Sequence, residues 1–226
     1  MTGINIFLYC PTRKTDSELT RCIDGAILDR LDRILLNNSI EILFIGGAET
    51  ITIIGTLELL DPVFRNNGYI EKIVCLSPET GVNTAIFAAD ALAKAAANKK
   101  AFILFSNTAG LGAKLLDDMK NILNIEEEVC AIYSTADGKL LGLGVLHYDE
   151  SIAGMFSEDG AVDTLEFVKD VDRYFILREG VYGVETKADL KRLYTVLSNR
   201  ENNHLCSKYF YDQLTEIFIE TKELLK

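Results

Sequence analysis

Five short clusters in this chain carry side chains suited to chemistry on a phosphate compound. Arg13 and Lys14 lie in the loop Cys10-Pro11-Thr12-Arg13-Lys14-Thr15. A guanidinium fork and an ammonium point charge both hold phosphate oxygens. The bland alternative is a solvated loop before a helix. Thr80, Gly81 and Asn83 stand where a turn opens into an alanine-rich helical run. Such a place can cradle a base or phosphate, and a plain turn with an N-cap needs the same residue types. Ser106 and Asn107 form a polar tip after an apolar run and should line any site on this fold. Asp137-Gly138-Lys139 is a tight turn of the Asp-Gly type, with Asp137 a candidate acid or base. Glu185 precedes a capping-box pattern, Thr186 with Asp189, so it is a candidate ligand or simply a first-turn acid.

The elements around these clusters alternate strand and helix. Ile4–Tyr9 reads as a first strand. Asp16 is a plausible N-cap for a helix carrying Leu19, Ile23, Ile27, Leu31 and Ile34 or Leu35 at helical spacing. Ile40–Ile45 reads as a second strand ending at Gly46-Gly47. Residues 49–64 fit strand or helix, and a crossover to the next strand argues for helix. Ile73–Leu76 and Ala101–Phe105 are strands joined by a helix from Val82 to about Asn98. That unit predicts parallel strands with ligand loops side by side at their carboxyl ends.

After Phe105 the pattern predicts a helix over 112–123 and a strand over 128–134. Its hairpin partner follows at 140–147. Short helices are expected over 150–156 and 161–169, and a late strand over 173–178. Helices over 186–198 and 204–226 complete the chain. The result is an α/β fold in three layers, with a mixed, mostly parallel sheet. We divide it into a nucleotide-binding domain over 1–200 and an amphipathic helical appendage over 201–226. The appendage stripe of Leu205, Phe210, Leu214, Ile217 and Phe218 suits packing on the parent domain or a homodimer contact.

Composition narrows the function. The 226 residues are 48% hydrophobic, enough for a sizeable core, and no apolar window is long enough for a membrane span. Net charge is −11 and no basic patch is visible, which argues against nucleic acid as a partner. The five cysteines form no C-x-x-C pair. The order of apolar and basic residues at the N-terminus is unlike a signal peptide, so a cytoplasmic location is expected. His147 and His204 are too far apart in sequence to suggest a zinc cluster. There is no G-x-x-x-x-G-K-[ST], G-x-S-x-G or H-E-x-x-H. Gly110-Leu111-Gly112 is only a partial dinucleotide fingerprint, because Leu115 holds the third glycine position.

Four of the landmarks occur together and in order: Pro11/Arg13/Lys14, Thr80–Ile86 (TGVNTAI), Ala136–Gly144 (ADGKLLGLG) and Gly183–Leu190 (GVETKADL). Together they resemble the GT-A-type nucleotidyltransferase superfamily over roughly residues 4–198. Similar branches are 2-phospho-L-lactate guanylyltransferase, the molybdopterin-guanine dinucleotide enzyme and radical-SAM-associated predicted glycosyltransferases. The resemblance implies a transferase, acting on an NTP or nucleotide sugar and a small phosphorylated acceptor. A catalytically degenerate nucleotide-binding or protein-interaction member is the alternative. It implies nucleotide contacts at Arg13, Lys14, Thr80, Gly81, Asn83, Ser106 and Asn107, and an acceptor loop at Gly138 and Lys139. It also implies Mg²⁺ or Mn²⁺ at Asp137 and Glu185. Here Asn107 stands where the family has its metal-binding aspartate, Lys139 replaces a glycine, and Glu185 replaces an aspartate.

Overall fold

The computed structural model describes residues 4–11, 17–55, 70–79, 82–96, 99–112, 114–124, 129–134, 137–156, 162–171 and 175–223. Its centre is a mixed sheet. β1 (Asn5–Tyr9) pairs in parallel with β2 (Ile51–Ile54) on one side and β4 (Ala101–Phe105) on the other. β3 (Ile73–Leu76) lies outside β2. Beyond β4 come β7 (Leu140–Val145), β6 (Val129–Ser134) and β8 (Phe175–Gly183). The two-residue β5 (Thr108–Ala109) pairs antiparallel with the end of β8. β7 and β5 run against the other described strands, because β7 is antiparallel to both β4 and β6.

Alternation along the strands builds the three layers. Ile6, Leu8, Phe102 and Leu104 face one side. There they meet Leu36, Ile40 and Leu43 of α2 (Gly25–Ile45), and Leu116 and Met119 of α4 (Leu115–Asn124). Phe7, Tyr9, Ile103 and Phe105 face the other side, as period-2 geometry requires. They meet Ala88 and Leu92 of α3 (Thr84–Ala96), the 3₁₀ turn Glu150–Met155, and Phe167 of α5 (Thr164–Asp170). A third core joins α1 (Glu18–Cys22), α2, α6 (Lys187–Leu197) and α7 (Lys208–Thr221).

Several expectations need correction. The expected strand over 40–45 is the last part of α2. Asp24 caps that helix by accepting from Ala26 N at 2.8 Å. Leu28, Leu31, Leu35, Leu36 and Leu43 are buried along it. The apolar run Ile40–Ile45 therefore continues a helical stripe, and Gly46 and Gly47 end it. The crossover after β1 is α2, so Ile51–Ile54 is free to be the strand where a helix was expected; residues 56–69 lie outside the described residues. The helix before α2 is a separate short one, capped by Ser17. The loop after β3 and the tip of β4 are not side by side. β3 pairs with β2 and β4 with β1, so two strands stand between them.

The other elements follow the expected order with shifted ends. α4 begins at Leu115, and β8 runs on to Gly183. That extension matters for function. Between Tyr133 and Ser134 the β6–β8 register skips a residue of β8, a bulge that turns the strand. Its end then reaches β5, pairing Tyr182 with Ala109 and Gly183 with Thr108.

α7 packs inward. Phe210, Leu214 and Ile217 are buried against α2 and α6, and Tyr194 of α6 stacks on Phe218 at 3.9 Å between ring centroids. Arg30 of α2 donates to Glu220 at 2.7 Å. No helix among the described residues is long and apolar enough to cross a membrane.

Candidate functional site

The carboxyl ends of β1, β2, β3 and β4 form one edge of the sheet, where α/β proteins hold their ligands. Cys10 N donates to Ile54 O at 2.8 Å and Ser106 N to Tyr9 O at 2.8 Å, which tie the three central strand ends together. Ser106 is buried, and its side chain is hydrogen-bonded to the Cys10 thiol. Burial pushes that thiol up to about 12, while Ser106 pulls the other way. Cys10 is thus a protonated core residue, not a nucleophile.

The Cys10 proton also makes stability depend on pH. The unfolded thiol titrates near its ordinary 9.0, whereas the folded one keeps its proton to about 12. Between those values the folded chain binds more protons, so stability falls as pH rises. From pH 8 to 10.5 this one group should cost about 2 kcal/mol. Urea unfolding of wild type and Cys10→Ala at both pH values checks it: the variant should show the smaller fall, and equal falls would remove Cys10 as the source.

Next to Ser106 the chain assembles a charged cluster. β5 leads straight out of the β4 tip, and its pairing with β8 carries Val184 and Glu185 to that tip. Val184 N donates to Asn107 O at 3.1 Å. Asn107 Nδ2 donates to Glu185 Oε1 at 3.3 Å, across 78 residues of sequence. Lys139 Nζ donates to Glu185 Oε2 at 2.9 Å and lies 3.8 Å from Asp137 Oδ2.

Backbone geometry fixes each member. Lys139 N donates to Asp137 Oδ1 at 3.2 Å, closing the turn over Gly138, whose φ of 71° suits glycine. Leu140 N donates to Val162 O, and Thr164 N to Gly138 O, pinning the turn to the start of α5. Asp189 Oδ2 accepts from Glu185 N at 3.1 Å and Thr186 N at 2.8 Å, while Thr186 Oγ1 accepts from Asp189 N. The capping box therefore holds Glu185 in place as well as starting α6.

Partial burial pulls the Lys139 pKa down. Hydrogen bonding and charge from Glu185, then charge from Asp137 and Asp189, outweigh that, and the ammonium titrates above the ordinary lysine range. It is charged at any physiological pH.

Of the residues singled out from sequence, Asn107, Asp137, Gly138, Lys139 and Glu185 come together. Ser106 is adjacent but points its hydroxyl into the β1 end. Asn83 Oδ1 accepts from Ala85 N at 2.8 Å and Ile86 N at 3.2 Å, so its acceptor is used as the N-cap of α3. Arg13, Lys14, Thr80 and Gly81 lie outside the described residues. Sequence reasoning missed that Asp189 joins the electrostatics, and that Lys139 and Glu185 are partners. The signal was present: both positions depart from the motifs they resemble, and the lysine gained at position 139 is opposite in charge to the carboxylate kept at position 185.

No sequence profile of a known family matches the chain, and no curated protein sequence matches it. Solved structures do match. A Desulfovibrio desulfuricans G20 protein, provisionally assigned as a nucleotide-diphospho-sugar transferase, has a TM-score of 0.70. It is 14% identical, with 98% of this chain and 96% of that one covered. A provisionally assigned glucose-1-phosphate thymidylyltransferase from Bacillus anthracis, solved with sucrose, has a TM-score of 0.54. It is 9% identical, with 84% and 94% covered. The chain has the nucleotide-diphospho-sugar transferase fold. At these identities the likeness speaks for the fold, and the chemistry is read from the residues.

Within this nucleotide-diphospho-sugar transferase fold, the cluster does not fit a hard divalent cation as it stands. Mg²⁺ asks for near-octahedral oxygen ligands. Both Glu185 oxygens already accept, one from an amide and one from an ammonium. Asn107 turns its Nδ2 donor toward Glu185, not an oxygen. Among the described residues no three His, Cys, Asp or Glu side chains are grouped to hold a metal.

Proposed function

We propose that this chain binds a nucleotide or nucleotide sugar at the carboxyl edge of its sheet and transfers the nucleotidyl or glycosyl group to a small acceptor. The observation that carries the reading is the convergence of Asn107, Lys139, Glu185 and Asp137 at the β4 tip of a fold shared with nucleotide-diphospho-sugar transferases. Arg13 and Lys14, which follow β1 in sequence, and Lys139 supply positive charge for the phosphates. Asn83, Thr80 and Gly81 contact the base or ribose, and Asn107 lines the site, with Ser106 buried behind it against Cys10. Asp137 lies beside the acceptor, in the loop with Gly138 and Lys139, and is the candidate base that takes the acceptor's proton. In such transfers the protein mainly positions the phosphates and neutralises charge that builds on them. The four free thiols among the described residues suit a reducing compartment, so we place the chain in the cytoplasm.

Thermal unfolding with GTP, CTP, UDP-glucose and GDP-mannose tests the binding half. A ligand at ~100-fold above its Kd should stabilise the chain by about 2.7 kcal/mol. Phosphorus NMR of the stabilising ligand with small phosphorylated acceptors tests transfer, by the appearance of pyrophosphate or a nucleoside diphosphate. Stabilisation without turnover would leave a binding protein. No stabilisation by any of the four would end the nucleotide reading.

A further inference from the structure

We propose that phosphate binding at this site is metal-independent, with the Lys139 ammonium serving as the cation. The inference rests on the reading of the cluster as a nucleotide site. Its basis is how the acidic groups are satisfied. The two carboxylates converge on one cation, and the chain itself supplies it. Lys139 Nζ stands 2.9 Å from Glu185 Oε2 and 3.8 Å from Asp137 Oδ2. Asn107 completes the arrangement by giving an N–H to the other Glu185 oxygen. A divalent ion entering here would displace both donors, and would bring its charge up against an ammonium. Strong repulsion follows at such a distance in a half-buried site.

The ammonium also has capacity to spare. It carries three N–H groups, and only the bond to Glu185 is of hydrogen-bond length among the described residues. Two donors are left for phosphate oxygens. The side chain is 37% exposed, so a ligand can reach it. Its titration above the ordinary lysine range keeps the charge fixed through any working pH.

Isothermal titration of GTP and UDP-glucose into the full chain, in EDTA and in Mg²⁺, tests this. Wild type should bind equally in both. Lys139→Met should weaken binding by about 10- to 100-fold, the loss of a charge-assisted hydrogen bond, in both buffers. Lys139→Arg should keep most of the affinity, and urea midpoints check that both variants fold. Mn²⁺ titrated alone should not bind wild type, but should bind Lys139→Gly/Asn107→Asp, in which three carboxylates face an open centre. Binding of wild type only with Mg²⁺, or unchanged binding by Lys139→Met, would overturn metal independence and leave the nucleotide reading standing. Failure of both ligands in both buffers would overturn the nucleotide reading and this inference with it.

Discussion

Phe210→Ala should destabilise the whole chain by about 3–5 kcal/mol, the usual cost of deleting a buried aromatic ring. Phe210 is 1% exposed and sits in the core shared by α2, α6 and α7, beside Leu214 and Ile217. α2 belongs to two cores at once. Its Leu31 and Leu35 face α7, while its Leu36, Ile40 and Leu43 face the sheet. Loosening α7 therefore exposes one side of the helix that covers β1. If α7 were a separable appendage, calorimetry of Phe210→Ala would show an early, small transition followed by an unshifted main one. The shared core predicts one transition, moved down by roughly 10 °C for a chain of this size.

How much of this was legible in the sequence depends on how local the chemistry is. The Asp137-Gly138 turn, the Thr186–Asp189 capping box and the β4 strand with its polar tip each depend on a few neighbouring residues, and each forms as expected. The run Ile40–Ile45 was misread because an apolar stretch rich in isoleucine satisfies a strand as well as a buried helix. Only the continuous helical stripe from Leu28 onward decides it. Strand order was not legible, because it follows from which edges pair across long separations. The same holds for the site. Asn107 and Lys139 each looked like isolated departures from a motif, and their meaning appears only when the β8 bulge carries Glu185 between them.

Gly55→Ala should cost about 3 kcal/mol, despite adding a single methyl group. Gly55 has a φ of 146°, a region that side chains strongly disfavour, worth about 1–3 kcal/mol in strain. A Cβ there would also lie 2.6 Å from Cys10 Cβ and 3.1 Å from Cys10 O. Neither atom is at the end of a flexible side chain, so the β1 and β2 backbones would have to part, and overpacking of this kind adds about 1–3 kcal/mol. The two strand ends cannot part freely. Cys10 N is bonded to Ile54 O, Gly55 N to Leu76 O, and Ser77 Oγ to Gly55 O. The strain thus reaches Ser106 through its bond to Cys10, next to the residue that holds Glu185. Gly138→Ala is the comparison, since it too has a positive φ but its Cβ would meet nothing nearer than 4.0 Å. It should cost only about 1–2 kcal/mol. Cys10→Gly separates the two causes. If the clash matters, Cys10→Gly/Gly55→Ala should be more stable than the sum of the single effects by about 1 kcal/mol or more, the coupling expected of residues in contact. Additive losses in urea unfolding would mean that backbone strain alone makes glycine necessary at position 55.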